Sequence, residues 1–146
     1  MRSFEAVTRI DADPAAVWAL LTDVHGWRDW DSGVDRIEGR VALGEPITVY
    51  ATMIRSRPFT ATVTELRPQE AMRWRGGLPG GLAVIERTYA LDAQDGGGTV
   101  LTVREDHSGP LAGVLGRTTP DLNPSFRQFC AGLKAKAEGR VSRPAG

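Results

Sequence analysis

Residues 98–109, GTVLTVREDHSG, alternate like a half-buried strand, yet the apolar side of that alternation ends in two ionisable groups. A period of two places Leu101, Val103, Glu105 and His107 on one face and Val100, Thr102, Arg104 and Asp106 on the other. A carboxylate turned into a packed interior is costly unless something receives it. A cavity, a partner side chain or the end of the sheet must therefore meet Glu105. The expectation is a hollow protein.

Composition sets the frame around that strand. With 146 residues the chain is long enough for one domain, placed at 1–140 with a flexible tail at 141–146, and needs no disulfide or metal to fold. The single Cys130 has no partner for an intrachain disulfide. Eighteen basic and eighteen acidic residues cancel, which argues against a nucleic-acid partner. The opening MRSFEAVTRI has no apolar signal region, and no apolar run approaches the ~20 residues of a membrane span. A cytoplasmic location without membrane insertion is expected. Neither Asp29/Asp31 nor Glu105/Asp106 converges on one face, so no metal and no cofactor are expected.

Outward from the decisive strand, the pattern is mostly β. Residues 2–10 alternate as an amphipathic strand with Phe4, Ala6, Thr8 and Ile10 on one side. Asp13-Pro14 reads as an N-cap followed by a first-turn proline, with Val17, Leu20, Leu21 and Val24 as the helix stripe and Gly26 as its stop. A short second helix is placed at 27–31. Strands follow at 34–43, 46–54, 59–66, 71–75 and 82–93, separated by Gly44-Glu45, by Arg55-Ser56-Arg57-Pro58, by Arg67-Pro68-Gln69 and by the loose loop GGLPGG at 76–81. Asp95-Gly96-Gly97 turns the chain into the last strand. Leu122, Phe126, Phe129, Cys130, Leu133 and Ala137 then recur at helical spacing, with Asn123-Pro124 as cap and first position. An apolar helical stretch at 111–115 precedes them, and Pro120 and Pro124 divide it from the long helix.

Three segments carry a family resemblance. IDADPAAVWALLTDVHGWRDW (10–30) resembles the opening of the START-like, Bet v 1-like (SRPBCC) superfamily in its polyketide cyclase/dehydrase branch. TVTELRPQEAMRWRG (62–76) resembles that branch's fourth and fifth strands. GGTVLTVREDHSGPLAGVL (97–115), with FRQFCAGLKAKAE (126–138), is similar to its last strand and helix. The resemblance implies an α+β helix-grip fold. A curved antiparallel sheet of about seven strands, in the order β-α-α-β6-α, wraps a long C-terminal helix over a pocket. It implies ligands such as lipids, polyketides and aromatic molecules, in some members with cyclisation or dehydration, in others a co-chaperone role. Such a fold hosts many chemistries, so the site must decide.

Alternate turns of a meander gather at one end, so Met53, Phe59, Trp74, Leu82, Glu105 and His107 should share a rim above an apolar floor. Glu105 and His107 sit about 6.5–7 Å apart along a strand, a span suited to one small ligand or to proton transfer in a cyclisation or dehydration. The alternative is structural, with Glu105 paired to Arg75 or Arg87 and His107 bonded to a backbone carbonyl. Arg87 shares a parity with Ile85, Tyr89 and Leu91. If that heavier apolar set faces inward, Arg87 enters the cavity to hold a carboxylate or enolate oxygen; the opposite register brings Glu86 and Thr88 inside. Tyr89, Val103, Phe126 and Cys130 complete the expected ligand walls, with Cys130 an inert small hydrophobe. Trp27 and Trp30 either close the cavity or staple a helix to the sheet, and Leu78 tips a possible lid.

Three functions follow: binding of a small or medium hydrophobic molecule, catalysis by Glu105, His107 and Arg87, or a co-chaperone-like interaction module. A void above about 300 Å³ favours the first two, and a filled interior with an exposed apolar patch favours the third. The short, partly charged edge strands suit a monomer or a weak homodimer.

Overall fold

Period-two alternation puts one apolar face on every strand, and the structure buries those faces around a single helix. The computed structural model describes residues 2–54, 57–117 and 119–139. The expected tail at 141–146, and Arg55 and Ser56 of the expected break, lie outside them. The strands are β1 (Arg2–Ile10), β2 (Val34–Gly39), β3 (Pro46–Ala51), β4 (Phe59–Arg67), β5 (Ala71–Leu78), β6 (Ala83–Ala93) and β7 (Thr99–Ser108). The helices are α1 (Pro14–Thr22), α2 (Ala112–Gly116) and α3 (Asn123–Ala137). All strands join one antiparallel sheet in the order β1-β7-β6-β5-β4-β3-β2. Its register breaks at two irregularities, in β2–β3 between Val34 and Arg36 and in β4–β5 between Val63 and Glu65, which increase local twist and help the sheet curl. The architecture is the expected α+β helix grip.

The concave face carries Phe4, Ile10, Val49, Val63, Met72 and Leu101, all buried, and α3 lays Phe126, Phe129 and Leu133 against it. Each such side chain contributes about 1.5–3 kcal/mol on leaving water. Asp13 caps α1 as expected, accepting from Ala16 N at 2.8 Å. Both sheet edges are occupied. Along β1, Asn123 Oδ1 accepts from Glu5 N at 2.9 Å, and Lys134 Nζ donates to Arg9 O at 2.7 Å. At the other edge, His25 Nε2 lies 2.8 Å from Gly39 O. Side chains thus fill positions that an incoming strand would need.

Gly132 sets how closely α3 approaches. A Cβ built there would stand 2.0 Å from Asp31 O and 3.0 Å from Trp30 Cε3. Helix propensity favours Gly132→Ala by about 1 kcal/mol, but this contact is with backbone and cannot yield cheaply. We expect Gly132→Ala to destabilise the protein by about 1–3 kcal/mol in urea titration, as overpacking does. Unchanged or raised stability would refute the close approach.

Several expectations need correction. β2 ends at Gly39, not at 43, because Gly39 has φ 98° and lies against Pro46 O, where a side chain has no room. β3 ends at Ala51, and Thr52–Ile54 forms a 3-10 turn instead of continuing the strand. The second short helix is a 3-10 turn over Val24–Asp29 that contains Gly26, so α1 stops earlier, at Thr22. The GGLPGG segment is not all loop: Gly76, Gly77 and Leu78 complete β5, paired to Ile85, Val84 and Ala83. The missing side chains let neighbouring backbone approach, since a Cβ on Gly76 would meet Thr60 O at 2.4 Å. Asn123 does not cap α3; Leu122 holds that position, and the Asn123 side chain serves the β1 edge.

Candidate functional site

The pairing of β6 with β7 assembles the site. Arg87 lies directly opposite Glu105, Tyr89 opposite Val103 and Ile85 opposite His107. The register is thus the one with the heavier apolar set inside, and it carries Arg87 inward. Arg87 Nε donates to Glu105 Oε1 at 2.8 Å, and Glu105 Oε2 lies 2.8 Å from His107 Nε2. Arg87 is therefore the arginine that meets Glu105, and His107 binds that carboxylate instead of a backbone carbonyl. An ionised carboxylate only accepts, so the imidazole proton of this contact sits on Nε2. Nδ1 is then the acceptor of the neutral ring. The His107 ring also meets Phe4 edge-on at 5.4 Å.

Burial makes these contacts matter. The side chains of Glu105 and Arg87 are 3% and 12% exposed. Burial alone would raise the Glu105 carboxyl, but the Arg87 charge and the His107 hydrogen bond outweigh it and hold Glu105 below the ordinary carboxylate range. Burial likewise opposes the Arg87 charge, and Glu105 with the adjacent Tyr89 more than restores it. Burial pushes the Tyr89 phenol up, against the pull of Arg87. The guanidinium packs over two rings, 4.8 Å from the Phe59 centroid and 5.2 Å from that of Phe126.

These groups line a cavity of about 200 Å³ between the sheet and α3. It is smaller than the void expected from the sequence. Val49, Val103, Phe59, Phe126 and Phe129 form most of its apolar wall, and exposed Met53, Arg57 and Pro58 form part of its rim. Of the expected site residues, Arg87, Glu105, His107, Met53, Phe59, Tyr89, Val103 and Phe126 meet there. Trp74, Leu82 and Cys130 do not line it. Trp74 is fully buried behind Trp27, stacked at 5.8 Å and 19°, so Trp27 takes the lining position. Leu82 is 47% exposed beside the Pro79–Gly81 turn. Cys130 is buried away from the void, and burial pushes its thiol up to about 12. Leu78 does not line the cavity either. Phe129, Leu122 and Ser125 line it without having been expected to. The 3–4 residue spacing from Phe126 carried that signal for Leu122 and Phe129, and Ser125 stands at the same spacing from those two.

Among the described residues, no three His, Cys, Asp or Glu side chains are grouped to hold a metal ion. None of their helices is long and apolar enough to cross a membrane.

A profile of the family described as polyketide cyclase / dehydrase and lipid transport matches residues 1–138. The chain belongs to that family. No curated protein matches it. Among solved structures, this polyketide cyclase / dehydrase family chain is similar to the Zhui aromatase/cyclase from a Streptomyces species, with a TM-score of 0.70 and 16% identity over 96% of this chain and 99% of that one. It is similar to MLL2253 from Mesorhizobium loti, with a TM-score of 0.71 and 17% identity over 97% and 99%. It also resembles the di-domain ARO/CYC protein BexL, with a TM-score of 0.69 and 16% identity, covering 94% of this chain and 47% of that one. At such identities the likeness is one of fold.

Proposed function

We propose that the protein binds one small hydrophobic molecule in this cavity, with an oxygen of the ligand held by Arg87. One observation carries the reading: a mostly apolar void into which the linked, largely buried Arg87, Glu105 and His107 project. Met53, Phe59, Tyr89, Val103 and Phe126 are the walls against which the ligand packs. A void of about 150 Å³ holds benzene; this one is about 200 Å³ and opens at the exposed rim of Met53, Arg57 and Pro58, so it suits one or two fused rings with a short substituent. The void is below about 300 Å³, and it is the inward Arg87–Glu105–His107 cluster that supports ligand binding over an interaction module. The occupied sheet edges support a monomer.

A second reading has support from the same geometry and from the likeness in fold to the Zhui aromatase/cyclase and the ARO/CYC protein BexL. In a cyclisation or dehydration, Arg87 would stabilise an enolate oxygen, and His107 Nδ1 would accept a proton next to a carbonyl while Glu105 holds the ring. Binding ranks first because both oxygens of Glu105 are already engaged, which leaves that carboxylate poorly placed to carry a proton.

Ligand-observed NMR with 2-acetylnaphthalene tests the reading. Wild-type protein should bind it, and Val103→Phe, which fills the void, should abolish binding. Val7→Phe, at an exposed position on the outer face of β1, should not. Retained binding in Val103→Phe, or no binding by the wild type, refutes the assignment.

A further inference from the structure

We infer that the cavity selects uncharged oxygen acceptors, such as ketones, amides and phenols, and discriminates against carboxylates of the same shape. This rests on the reading of the cavity as a ligand site and adds the charge of the ligand to it.

The reason is that the guanidinium is already neutralised. Arg87 and Glu105 face each other across β6 and β7 at 2.8 Å, both largely out of water. A buried charge is tolerated when it is paired, and here the pairing is internal to the protein. Arginine has five N–H donors, and the Nε–H is the one committed to Glu105. Of the terminal N–H groups, on a side chain that lines the cavity, one is hydrogen-bonded to the Tyr89 phenol and the others remain. They can donate to a carbonyl oxygen without any change in the charge of the site. An incoming carboxylate would instead give the buried cluster two negative charges against one guanidinium. It would lose its own hydration and meet the repulsion of Glu105.

The other charged groups do not alter this count. Arg57 lies on the exposed rim, where solvent screens it. Tyr89 is held neutral by burial. His107 presents Nε2 to Glu105 and is committed to that oxygen. The guanidinium also packs over the Phe59 and Phe126 rings beside its carboxylate partner.

A matched pair of probes reads the discrimination. 2-Naphthamide and 2-naphthoate differ in charge and hardly in shape. At pH 8, wild-type protein should bind the amide at least tenfold more tightly by calorimetry or ligand-observed NMR. Glu105→Gln keeps the size of the side chain and removes its charge, leaving Arg87 unmatched. The preference should then turn by tenfold or more toward the naphthoate, which would also raise the melting temperature of the variant. Equal binding or a naphthoate preference in the wild type overturns the inference, as does an unchanged ratio in a folded Glu105→Gln protein. If that variant does not fold, the wild-type ratio alone decides. Should 2-acetylnaphthalene bind while naphthoate is favoured over naphthamide, only the charge selectivity falls. Should none of the three bind, the cavity assignment falls with it.

Discussion

Glu105→Ala should cost the protein about 3–5 kcal/mol in urea or thermal unfolding, the scale seen when one partner of a buried ion pair is removed. Most of that loss comes from what remains. Arg87 would keep its charge at 12% side-chain exposure with its carboxylate gone, and His107 Nε2 would lose its acceptor. The arrangement makes a second measurement decisive. Arg87→Met combined with Glu105→Leu removes both charges and should be clearly more stable than Glu105→Ala alone, because no ion is stranded. A double variant at least as unstable as the single one would show that packing, not charge, holds this part of the core.

The same pair sets an acid dependence. Glu105 titrates below its ordinary value in the folded protein, so the unfolded chain takes up its proton first as pH falls. Its contribution is therefore complete above the ordinary glutamate pKa of about 4.3 and is lost as pH drops through the lowered folded value. Wild-type stability should fall across that acid window, and the double variant should show a shallower fall. Parallel pH profiles for the two proteins would contradict the assignment.

Trp27→Ala should cost a comparable amount, about 3–5 kcal/mol, because a large buried ring is lost and its surroundings relax only in part. Trp27 is 1% exposed and meets the rings of Trp74, Tyr89 and Phe129 at 5.8, 5.8 and 4.7 Å. Its Nε1 also donates to Leu20 O at 3.3 Å, tying α1 to the turn that follows. Since Trp27 separates Trp74 from the cavity, its removal should enlarge the void as well as weaken the core. Urea titration reads the first effect. Tighter binding of three-ring than of two-ring aromatic ketones by the variant reads the second. A loss below about 1 kcal/mol would mean that the site collapses fully, contrary to the packing described.

Strand faces were legible because alternation depends on neighbours two residues apart. Phe4, Ala6 and Ile10, and Leu101, Val103, Glu105 and His107, all lie where the period of two put them. The Asp13 cap and the stripe of α3 were legible for the same local reason. Gly76 and Gly77 were not, because a glycine that permits a turn and a glycine that permits close backbone approach look alike in sequence. Trp74 was misplaced as a cavity wall because alternation gives the side of the sheet and says nothing about what stands in front of it.

Alternation along the last strand was enough to turn a carboxylate and an imidazole inward near one end of it, and so to require an interior that accommodates them. Strand pairing and packing in the folded chain were needed to bring Arg87 rather than Arg75 to Glu105, to stand Trp27 between Trp74 and the void, and to leave a void of about 200 Å³. Side-chain direction follows from the backbone of a single strand. Partner choice follows from the register between strands, and volume from how α3 and the Trp27 turn pack over the sheet, and neither is a property of any one segment.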